Sequence, residues 1–424
     1  MQKTNKPKLI RITTVPMALR YLLQGQMNYM STSGYDVIMI SAEGKELTEV
    51  LQQEKCRHLI VPMTRKITPI QDLKCLFQLI KIFIKEKPDI VHSHTPKAGL
   101  LGMLAARICG VKTRIHTVAG LPLMVEHGAK FTLLKYIEKL TYCCASTIWP
   151  NSPSLKKYIL EQKLTRPEKI NIIGKGSSNG INLQRYNPQI LDPRKLAEIK
   201  ESIHYNSSYN YLLFTGRLVK DKGIIELVDA FTRLQKSHTR LKLLLLGDFE
   251  SGLDPLPQHT MENIQQNPDV IHVGWTNDVE YYMQLATTFV FPSHREGFPN
   301  VLLQAGAMKL PIICSSICGN IDIVQNHQTG LLFNTRNVQS LAEKIEYSLM
   351  QKAEMMQMAS QLHDYIHREF KTTQVWEKIL LEYSQLQTRQ AKAAATVSPT
   401  HRDVVPGWMY PLWMPDYNKQ KAVS

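Results

Sequence analysis

Residues 291–304 read FPSHREGFPNVLLQ, which is the end of an apolar strand, a polar turn and the start of a helix. Gly297 lacks a Cβ, so the backbone of this turn can come close to a ligand. Pro299 and Asn300 suit the first positions of a helix, where free N–H groups attract phosphate or hydroxyl oxygens. Because α/β proteins bind ligands at the carboxyl ends of parallel strands, the stretch predicts a parallel sheet with a ligand site at its edge.

A second stretch, GRLVKDKG at residues 216–223, supplies matching positive charges. It follows an apolar run and opens another helix, and Gly216 and Gly223 allow close approach of the backbone. The Arg217 guanidinium can bind phosphate oxygens with two hydrogen bonds, whereas the Lys222 ammonium acts as a point charge. Both could neutralise charge on a departing diphosphate. Together the two stretches predict a site for a nucleotide diphosphate linked to a group rich in hydroxyls.

A carboxylate and an amide, Glu296 and Gln304, stand eight residues apart with the turn between them. This spacing lets both side chains face one cleft, where such groups hold sugar hydroxyls through directional hydrogen bonds. Two structural alternatives stay open. Gln304 could be a solvent-facing helix residue, and Glu296 could instead interact with the positive end of the helix dipole.

Apolar strand-like runs alternate with amphipathic helices along both halves of the chain, and one such run covers residues 170–173. This alternation predicts parallel sheets with helices on both faces. A chain of 424 residues is too long for a single core. The Asn-Pro and Asp-Pro pairs around residues 186–192 predict a linker. We therefore predict one domain over residues 1–190, a second over 191–390 and a tail over 391–424.

The predicted tail mixes Ala and Lys with Pro, Trp and Met, and it shows no helical or strand period. A flexible tail is one interpretation, and a membrane interface or a docking strap is the other. No run of about 20 apolar residues could span a bilayer, and residues 9–15 are too short for a signal-peptide core. Seven scattered cysteines without metal-ligand spacing favour reduced thiols in the cytoplasm.

Positive charge is concentrated in the first half of the chain. Residues 1–190 hold 28 Lys and Arg against 12 Asp and Glu, a net charge of +16, whereas residues 191–424 carry −1. An anionic membrane surface or a nucleic acid could use such a face. A solvated basic surface without a partner is the other interpretation. We predict an anionic membrane surface as the partner, and no nucleic acid.

Several short motifs accompany the two stretches. They are VHSH at 91–94, NGIN at 179–182, GNIDIV at 319–324 and TGLLF at 329–333. In combination, over residues 8–385, the motifs resemble those of glycosyltransferase family 4. The resemblance implies the GT-B fold, an α/β architecture of two Rossmann-like parallel-sheet domains facing a central cleft, with C-terminal helices. The segment HTVAGLPLM at 116–124 resembles the corresponding segment of one group of bacterial enzymes. These enzymes build capsule, O-antigen or glycoprotein glycans on polyprenyl-diphosphate carriers.

The resemblance also implies roles for single residues. Arg217 and Lys222 would contact the donor diphosphate, and Glu296 would contact hydroxyls of the donor sugar. The other donor-binding positions lie in the two turns and the helix start, at Gly216, Gly297, Phe298, Asn300, Val301 and Gln304. Gln304 occupies the place of the family's second glutamate, which holds the nucleotide ribose. Glutamine keeps one acceptor and adds a donor, so we expect binding with a weaker hold on the ribose.

Two positions in the first domain complete the predicted site. Gly25 lies in QGQ at 24–26, which resembles the loop that such enzymes bring near the donor phosphates. His116 follows a strand, where a neutral imidazole could hydrogen-bond a sugar hydroxyl. Many family members have a His-Gly pair in this loop, whereas Ala119 precedes Gly120 here. The alternative for His116 is a strand-end histidine with satisfied hydrogen bonds.

These features predict a retaining glycosyltransferase. It would move a hexose or N-acetylhexosamine from a nucleotide sugar, foremost a UDP sugar, to a polyprenyl-diphosphate-linked or saccharide acceptor in bacterial surface-glycan assembly. No Asp-x-Asp pair stands at a strand end, so we expect no metal and no cofactor. We expect a cytoplasmic protein, peripheral on the inner face of the membrane. Two alternatives stay open, a UDP-hexosamine epimerase of the same fold and a non-catalytic nucleotide-sugar-binding relative.

Overall fold

The computed structural model describes residues 6–250, 252 and 254–396. The chain divides into two compact units, Met1–Leu381 and Glu382–Ser424. The first unit contains both β-sheets. Of the second unit, the structure describes the end of a helix that runs to Thr396, so residues 391–396 of the predicted tail are helical. The rest of the predicted tail, residues 397–424, lies outside the described residues.

The first sheet has six parallel strands in the order β3-β2-β1-β4-β5-β6. They are β1 (Lys8–Ile12), β2 (Asp36–Ser41), β3 (Arg57–Ile60), β4 (Ile90–Ser93), β5 (Thr113–Val118) and β6 (Thr147–Pro150). This is the order of a doubly wound Rossmann sheet. Every residue of β4 and β6 is buried, as expected for strands of a parallel sheet that is covered on both faces.

The second sheet repeats this topology with the order β12-β11-β10-β7-β8-β9. Its strands are β7 (Asn210–Thr215), β8 (Leu241–Leu246), β9 (Val270–Gly274), β10 (Thr288–Phe291), β11 (Ile312–Ser315) and β12 (Leu331–Phe333). All recorded strand pairs are parallel. Each sheet has its own hydrophobic core. The predicted fold of two Rossmann-like domains is confirmed, while the predicted domain limits stay predictions.

Helices connect the strands and cover both faces of each sheet. Those of the first half are α1 (Pro16–Leu22), α2 (Gln26–Thr32), α3 (Leu47–Glu54), α4 (Pro69–Glu86), α5 (Pro96–Ile108), α6 (Gly128–Cys144) and α7 (Pro153–Glu161). The others are α8 (Pro193–Ser202), α9 (Ile224–Gln235), α10 (Gln258–Gln266), α11 (Val279–Leu285), α12 (Asn300–Ala307), α13 (Val338–Met350), α14 (Lys352–Glu369) and α15 (Thr372–Thr396). Five of them begin at a proline, which suits a position where no N–H partner is needed.

The chain passes from the first half to the second near Ile181 and returns near Lys371. These two residues form an isolated parallel bridge, and the Ile181 N–H donates to the carbonyl of Phe370 at 2.8 Å. Helix α15 then places Trp376 against Tyr29 of α2, with ring centroids 5.1 Å apart. The start of α15, up to Leu381, therefore belongs to the packing of the first half.

The predicted strand at residues 170–173 was wrong. Only Ile170 pairs with the first sheet, in a single bridge to Ile148 of β6. Gly174 and Gly176 follow with φ of 57° and 112°, a left-handed backbone that turns the chain away from the sheet edge. Strand β12 was not predicted, because its three residues are too few to show a periodic pattern.

Glu138 is a buried acid on α6, and burial raises its pKa from 4.5 to about 7. A raised pKa means that the folded state favours the protonated acid. The contribution of Glu138 to the free energy of unfolding is therefore fully present below about pH 4.5 and is lost as pH rises through about 7. The loss across this window amounts to about 3 kcal/mol. We expect Glu138→Gln to remove this pH dependence in denaturant titrations. Exposed Glu161→Gln is the matched control, and identical pH profiles for wild type and Glu138→Gln would contradict the prediction.

Candidate active site

The turn between β7 and α9 packs directly against the turn between β10 and α12. A Cβ added to Gly223 would overlap the carbonyl oxygen of Pro292 and lie 2.9 Å from its Cβ. Gly223 also has φ of 69°, a left-handed conformation that favours glycine. On the other side of the turn, a Cβ on Gly247 would overlap the carbonyl oxygen of Gly216. The glycines therefore let three strand ends meet with little space between their backbones.

An ion pair joins the two turns across 74 residues of sequence, because the Lys222 ammonium contacts the Glu296 carboxylate. Both side chains are largely buried, with 19% and 15% exposed. The Ser293 hydroxyl donates to the same Glu296 oxygen at 2.8 Å, and Lys222 Nζ lies 5.6 Å from the centre of the Phe291 ring. An incoming diphosphate would compete with Glu296 for the Lys222 charge.

The second predicted cation, Arg217, pairs with Glu250 beyond β8 and keeps half of its side chain exposed. Two further contacts brace the turns. Arg295 donates to Asp221 at 2.7 Å, and His294 Nε2 lies 2.9 Å from a carboxylate oxygen of Glu226. Sequence reasoning predicted the cations but not these carboxylate partners. Of these partners, Asp221 lies in the quoted stretch 216–223, whereas Glu226 and Glu250 lie outside both stretches.

Helix α12 begins at Asn300, and its N-cap residue Pro299 makes no side-chain cap bond. The first N–H groups of this helix lie beside the Glu296 turn, where they can receive an anion. Val301 is the second residue of the helix, and Gln304 follows one turn later, where it is half-buried. Phe298 is 7% exposed and packs against Phe370, with ring centroids 5.4 Å apart.

The first half of the chain reaches this turn at Gly297. A Cβ on Gly297 would overlap the carbonyl group of Ala119 and lie 2.7 Å from the nitrogen of Gly120. The loop after β5 therefore lies against the loop after β10, backbone to backbone. This contact closes the cleft between the two sheets at the Glu296 turn.

A second contact between the halves involves the GNIDIV motif. The Asp322 carboxylate accepts from the Ser154 N–H at 3.1 Å and from the Ser154 hydroxyl. The Gly319 N–H lies 3.1 Å from the same hydroxyl oxygen. Ser154 belongs to the first turn of α7, where a carboxylate satisfies free N–H groups. These hydrogen bonds fasten the two halves together beside the candidate site.

Comparisons with known proteins identify the family. The model for glycosyl transferases group 1 matches residues 197–363, and the glycosyl transferase 4-like model matches residues 11–152. The chain is 34% identical over 378 residues to the capsular polysaccharide biosynthesis glycosyltransferase CapM of Staphylococcus aureus, covering 89% of this chain and 97% of that protein. The chain belongs to glycosyltransferase family 4.

Two further comparisons extend this result. This glycosyltransferase is 28% identical over 344 residues to the UDP-Gal:alpha-D-GlcNAc-diphosphoundecaprenol alpha-1,3-galactosyltransferase of Escherichia coli, covering 79% of this chain and 86% of that one. A crystal structure of Anabaena HepE in complex with UDP and glucose has a TM-score of 0.75 at 16% identity, covering 89% of this chain and 100% of that one. The likeness to HepE shows the GT-B fold alone. The comparisons do not favour the epimerase alternative.

The structure places His116 of the glycosyltransferase in a packed interior. The residue is 3% exposed, and its Nδ1 lies 2.9 Å from the Ser93 hydroxyl. A Cβ on Gly99 of α5 would lie 2.8 Å from the same nitrogen, and the Tyr142 ring of α6 is 6.0 Å away. Burial lowers the pKa of His116 to about 4, so it is neutral. His116 lies within β5 rather than after a strand, so the predicted position was wrong. This placement favours the alternative of a histidine with satisfied hydrogen bonds, and the predicted contact with a sugar hydroxyl gains no support.

Gly25 follows α1 rather than β1, and its contacts differ from those expected of a phosphate loop. Its N–H donates to the Glu54 carboxylate at 2.5 Å, and an added Cβ would lie 2.7 Å from the Trp376 ring. The neighbouring Gln26 donates to Asn179 at 2.9 Å. Gly25 thus lies where α2 meets α15 and residues 178–179. Its predicted role in donor binding stays a prediction without support from these contacts.

Proposed function

We propose that this glycosyltransferase moves a hexose or N-acetylhexosamine from a UDP sugar to a polyprenyl-diphosphate-linked acceptor, with a saccharide acceptor as the second form. The Escherichia coli relative supports this proposal, because its name describes a UDP-sugar donor and a diphosphoundecaprenol acceptor. The relative from Staphylococcus aureus is named for capsule synthesis, which supports a role in surface-glycan assembly. The observation that carries the proposal is the largely buried Lys222–Glu296 pair beside the start of α12.

The proposed reaction uses charge neutralisation and orientation. The donor diphosphate would displace Glu296 from Lys222 and take hydrogen bonds from the first N–H groups of α12. Glu296 would then be available to accept hydrogen bonds from hydroxyls of the donor sugar. As the bond between the sugar and the diphosphate breaks, the acceptor hydroxyl attacks, and its proton passes to the departing phosphate oxygen. Attack from the face that the diphosphate leaves gives retention of configuration.

We propose that the transfer requires no metal ion. Lys222, Arg217 and the start of α12 supply the positive charge that a metal would otherwise bring to a diphosphate. We therefore expect turnover to be unchanged, within about twofold, after EDTA treatment and dialysis. The measurement is the initial rate with and without added Mg²⁺ or Mn²⁺. A rate that falls on chelation and returns with one of these ions would contradict the proposal.

The test of the proposed function is a transfer assay. The full chain is incubated with a panel of UDP sugars and a diphosphoundecaprenol-linked saccharide, and the lipid product is resolved by chromatography. We expect one UDP sugar to give a product longer by one sugar unit together with free UDP. Epimerisation of a UDP-hexosamine without any acceptor would instead support the epimerase. UDP binding without turnover on lipid-linked and free saccharide acceptors would support the non-catalytic alternative.

We also propose that the enzyme binds the inner face of an anionic membrane through its first half. No helix among the described residues is both long and apolar enough to cross a bilayer. The solvent side of α4 instead carries apolar residues at helical spacing, each 53–77% exposed. They are Ile70, Leu73, Phe77 and Ile84. Exposed lysines accompany them on the same helix, at Lys74, Lys81 and Lys85.

A second apolar stripe lies on α6. Its members are Leu133, Tyr136 and Leu140. Both α4 and α6 pack against α5, and right-handed crossovers place all three helices on one face of the first sheet. An apolar stripe bordered by lysines suits the boundary between lipid headgroups and acyl chains. The excess of basic residues in the first half adds attraction to anionic lipids.

Removing the α4 stripe should weaken membrane binding. We expect the Ile70→Ser, Phe77→Ser double variant to bind anionic vesicles about tenfold or more weakly, because two exposed apolar side chains no longer enter the lipid. Binding of the wild type should also fall as salt rises. The measurement is vesicle co-sedimentation, with Met350→Ser, an exposed apolar residue in the second half, as control. Binding that is indifferent to lipid charge and to the double variant would contradict the proposal.

A further inference from the structure

A small cavity lies beside the candidate site, at the carboxyl ends of β4, β5 and β6. Its far wall is residues 173–178, the segment through which the chain leaves the first sheet. Its volume is about 10 Å³, at the lower limit for one water molecule. The carboxyl edge of a parallel sheet is where α/β domains bind ligands. The cavity therefore lies at the usual ligand-binding position of such a domain.

His94 faces this cavity with unsatisfied polar atoms. The residue is 4% exposed, and neither Nδ1 nor Nε2 has a hydrogen-bond partner within the part of the chain that the structure describes. His92, which also lines the cavity, differs because its Nε2 lies 2.7 Å from the Thr117 hydroxyl. A buried polar atom without a partner costs free energy. A ring nitrogen at this cavity wall is therefore available to a group that enters the cavity.

The ring of His94 is held in place by its neighbours. It packs against the His92 ring with centroids 4.1 Å apart, and His92 in turn meets the edge of Trp149 at 4.9 Å. Burial, together with the nearby Arg11 charge, keeps the pKa of His94 well below 6.5. The neutral imidazole has one donor and one acceptor nitrogen. A hydroxyl group both donates and accepts, so it can bond whichever nitrogen faces the cavity in either tautomer.

The far wall is polar and is connected to the donor turn. Ser177 donates its N–H to the Asn151 carbonyl at 2.8 Å, and the Ser178 hydroxyl donates to the Asn151 side chain at 3.0 Å. Ser177 has φ of 73°, which is uncommon for a residue other than glycine and is held here by these contacts. One residue earlier, a Cβ on Gly176 would lie 3.2 Å from the Phe298 ring. Through Gly176 and Phe298, this wall packs against the turn that carries Glu296.

We propose that this cavity is a hydroxyl-binding site, in which a ring nitrogen of His94 exchanges a hydrogen bond with a single hydroxyl group. Two sources offer this chemistry, a bound water and a hydroxyl of the acceptor saccharide. The acceptor source rests on the proposed function, because the acceptor must enter the same cleft. The water source does not depend on that function. In both cases the group lies between His94 and the wall of residues 173–178.

The first test is a crystal structure of the full wild-type chain without substrates. For a bound water, we expect density for one oxygen at about 2.6–3.2 Å from a ring nitrogen of His94. This measurement needs no variant and no activity. It therefore decides the water source even if no transfer is ever detected.

The second test measures the KM values of donor and acceptor for His94→Phe and His94→Gln. If the acceptor supplies the hydroxyl, His94→Phe raises the acceptor KM about tenfold and leaves the donor KM unchanged. His94→Gln recovers part of the loss, since its amide keeps a donor and an acceptor. The control is His58→Phe on β3, because His58 Nε2 already lies 2.9 Å from the Ser41 hydroxyl. An empty cavity in the crystal together with unchanged KM values for His94→Phe would overturn the proposal.

Discussion

Replacing Lys222 with alanine is expected to lower kcat for sugar transfer by about 10²–10³-fold, because one charge that stabilises the departing diphosphate is lost. Of the two predicted cations, Lys222 is the less exposed. Its ammonium contacts Glu296, and 19% of its side chain is exposed, against 51% for Arg217. In a site that excludes water, such a charge is worth more than at the surface. Loss of Lys222 should weaken donor binding less than it slows transfer, since the first N–H groups of α12 remain.

Three measurements isolate this effect. Steady-state kinetics should place most of the loss of Lys222→Ala in kcat rather than in the donor KM. Lys222→Arg keeps the charge and should recover part of the rate. Lys220→Ala removes an exposed lysine from the same turn and should leave kcat unchanged. A Lys222→Ala enzyme with wild-type kcat would contradict the assigned role.

Replacing Gly297 with alanine is expected to lower kcat/KM by about 10²-fold or more. The added methyl would overlap the Ala119 carbonyl, and backbone on both sides leaves no flexible side chain that could yield. The two loops would have to separate, and a displacement of about 1 Å at a reacting centre can cost about 10²-fold in rate. The effect should appear in transfer while the fold is retained, because the strain is confined to the contact between the halves.

The matched control for this variant is Gly252→Ala. A Cβ at Gly252 meets nothing within 4 Å, and its φ does not lie in the left-handed region. Circular dichroism and thermal unfolding should be alike for both variants, whereas only Gly297→Ala should lose transfer. Normal kinetics for Gly297→Ala would show that the halves do not need to meet at this turn.

The sheets were predictable from the sequence because parallel strands are buried on both faces and leave continuous apolar runs. The positions of the glycine turns were predictable, but the groups that these glycines contact were not. Gly223 and Gly297 read as sites of close approach to a ligand, yet in the structure a Cβ at either position would overlap backbone, at Pro292 and Ala119 respectively. The spacing along the chain could not show whether a ligand or another backbone segment approaches these glycines.

The pairing of charges could not be predicted, because it depends on the order of strands. Lys222 and Glu296 meet because β10 lies beside β7 in the sheet, and no local pattern specifies that neighbour. The contact of Ser154 with Asp322 spans 168 residues and joins the two halves. Sequence reasoning also failed to decide between the alternatives for His116, since only the packing of α5 and α6 determines the surroundings of its ring.

The central claim is that the cleft beside Lys222 and Arg217 binds the diphosphate of a nucleotide sugar. Calorimetric titration with UDP tests it most directly, in the wild type and in the Arg217→Ala, Lys222→Ala double variant. We predict that the wild type binds UDP and that the double variant binds at least about 10²-fold more weakly, because two charge-assisted contacts are lost. Equal affinity of both proteins for UDP would contradict the account.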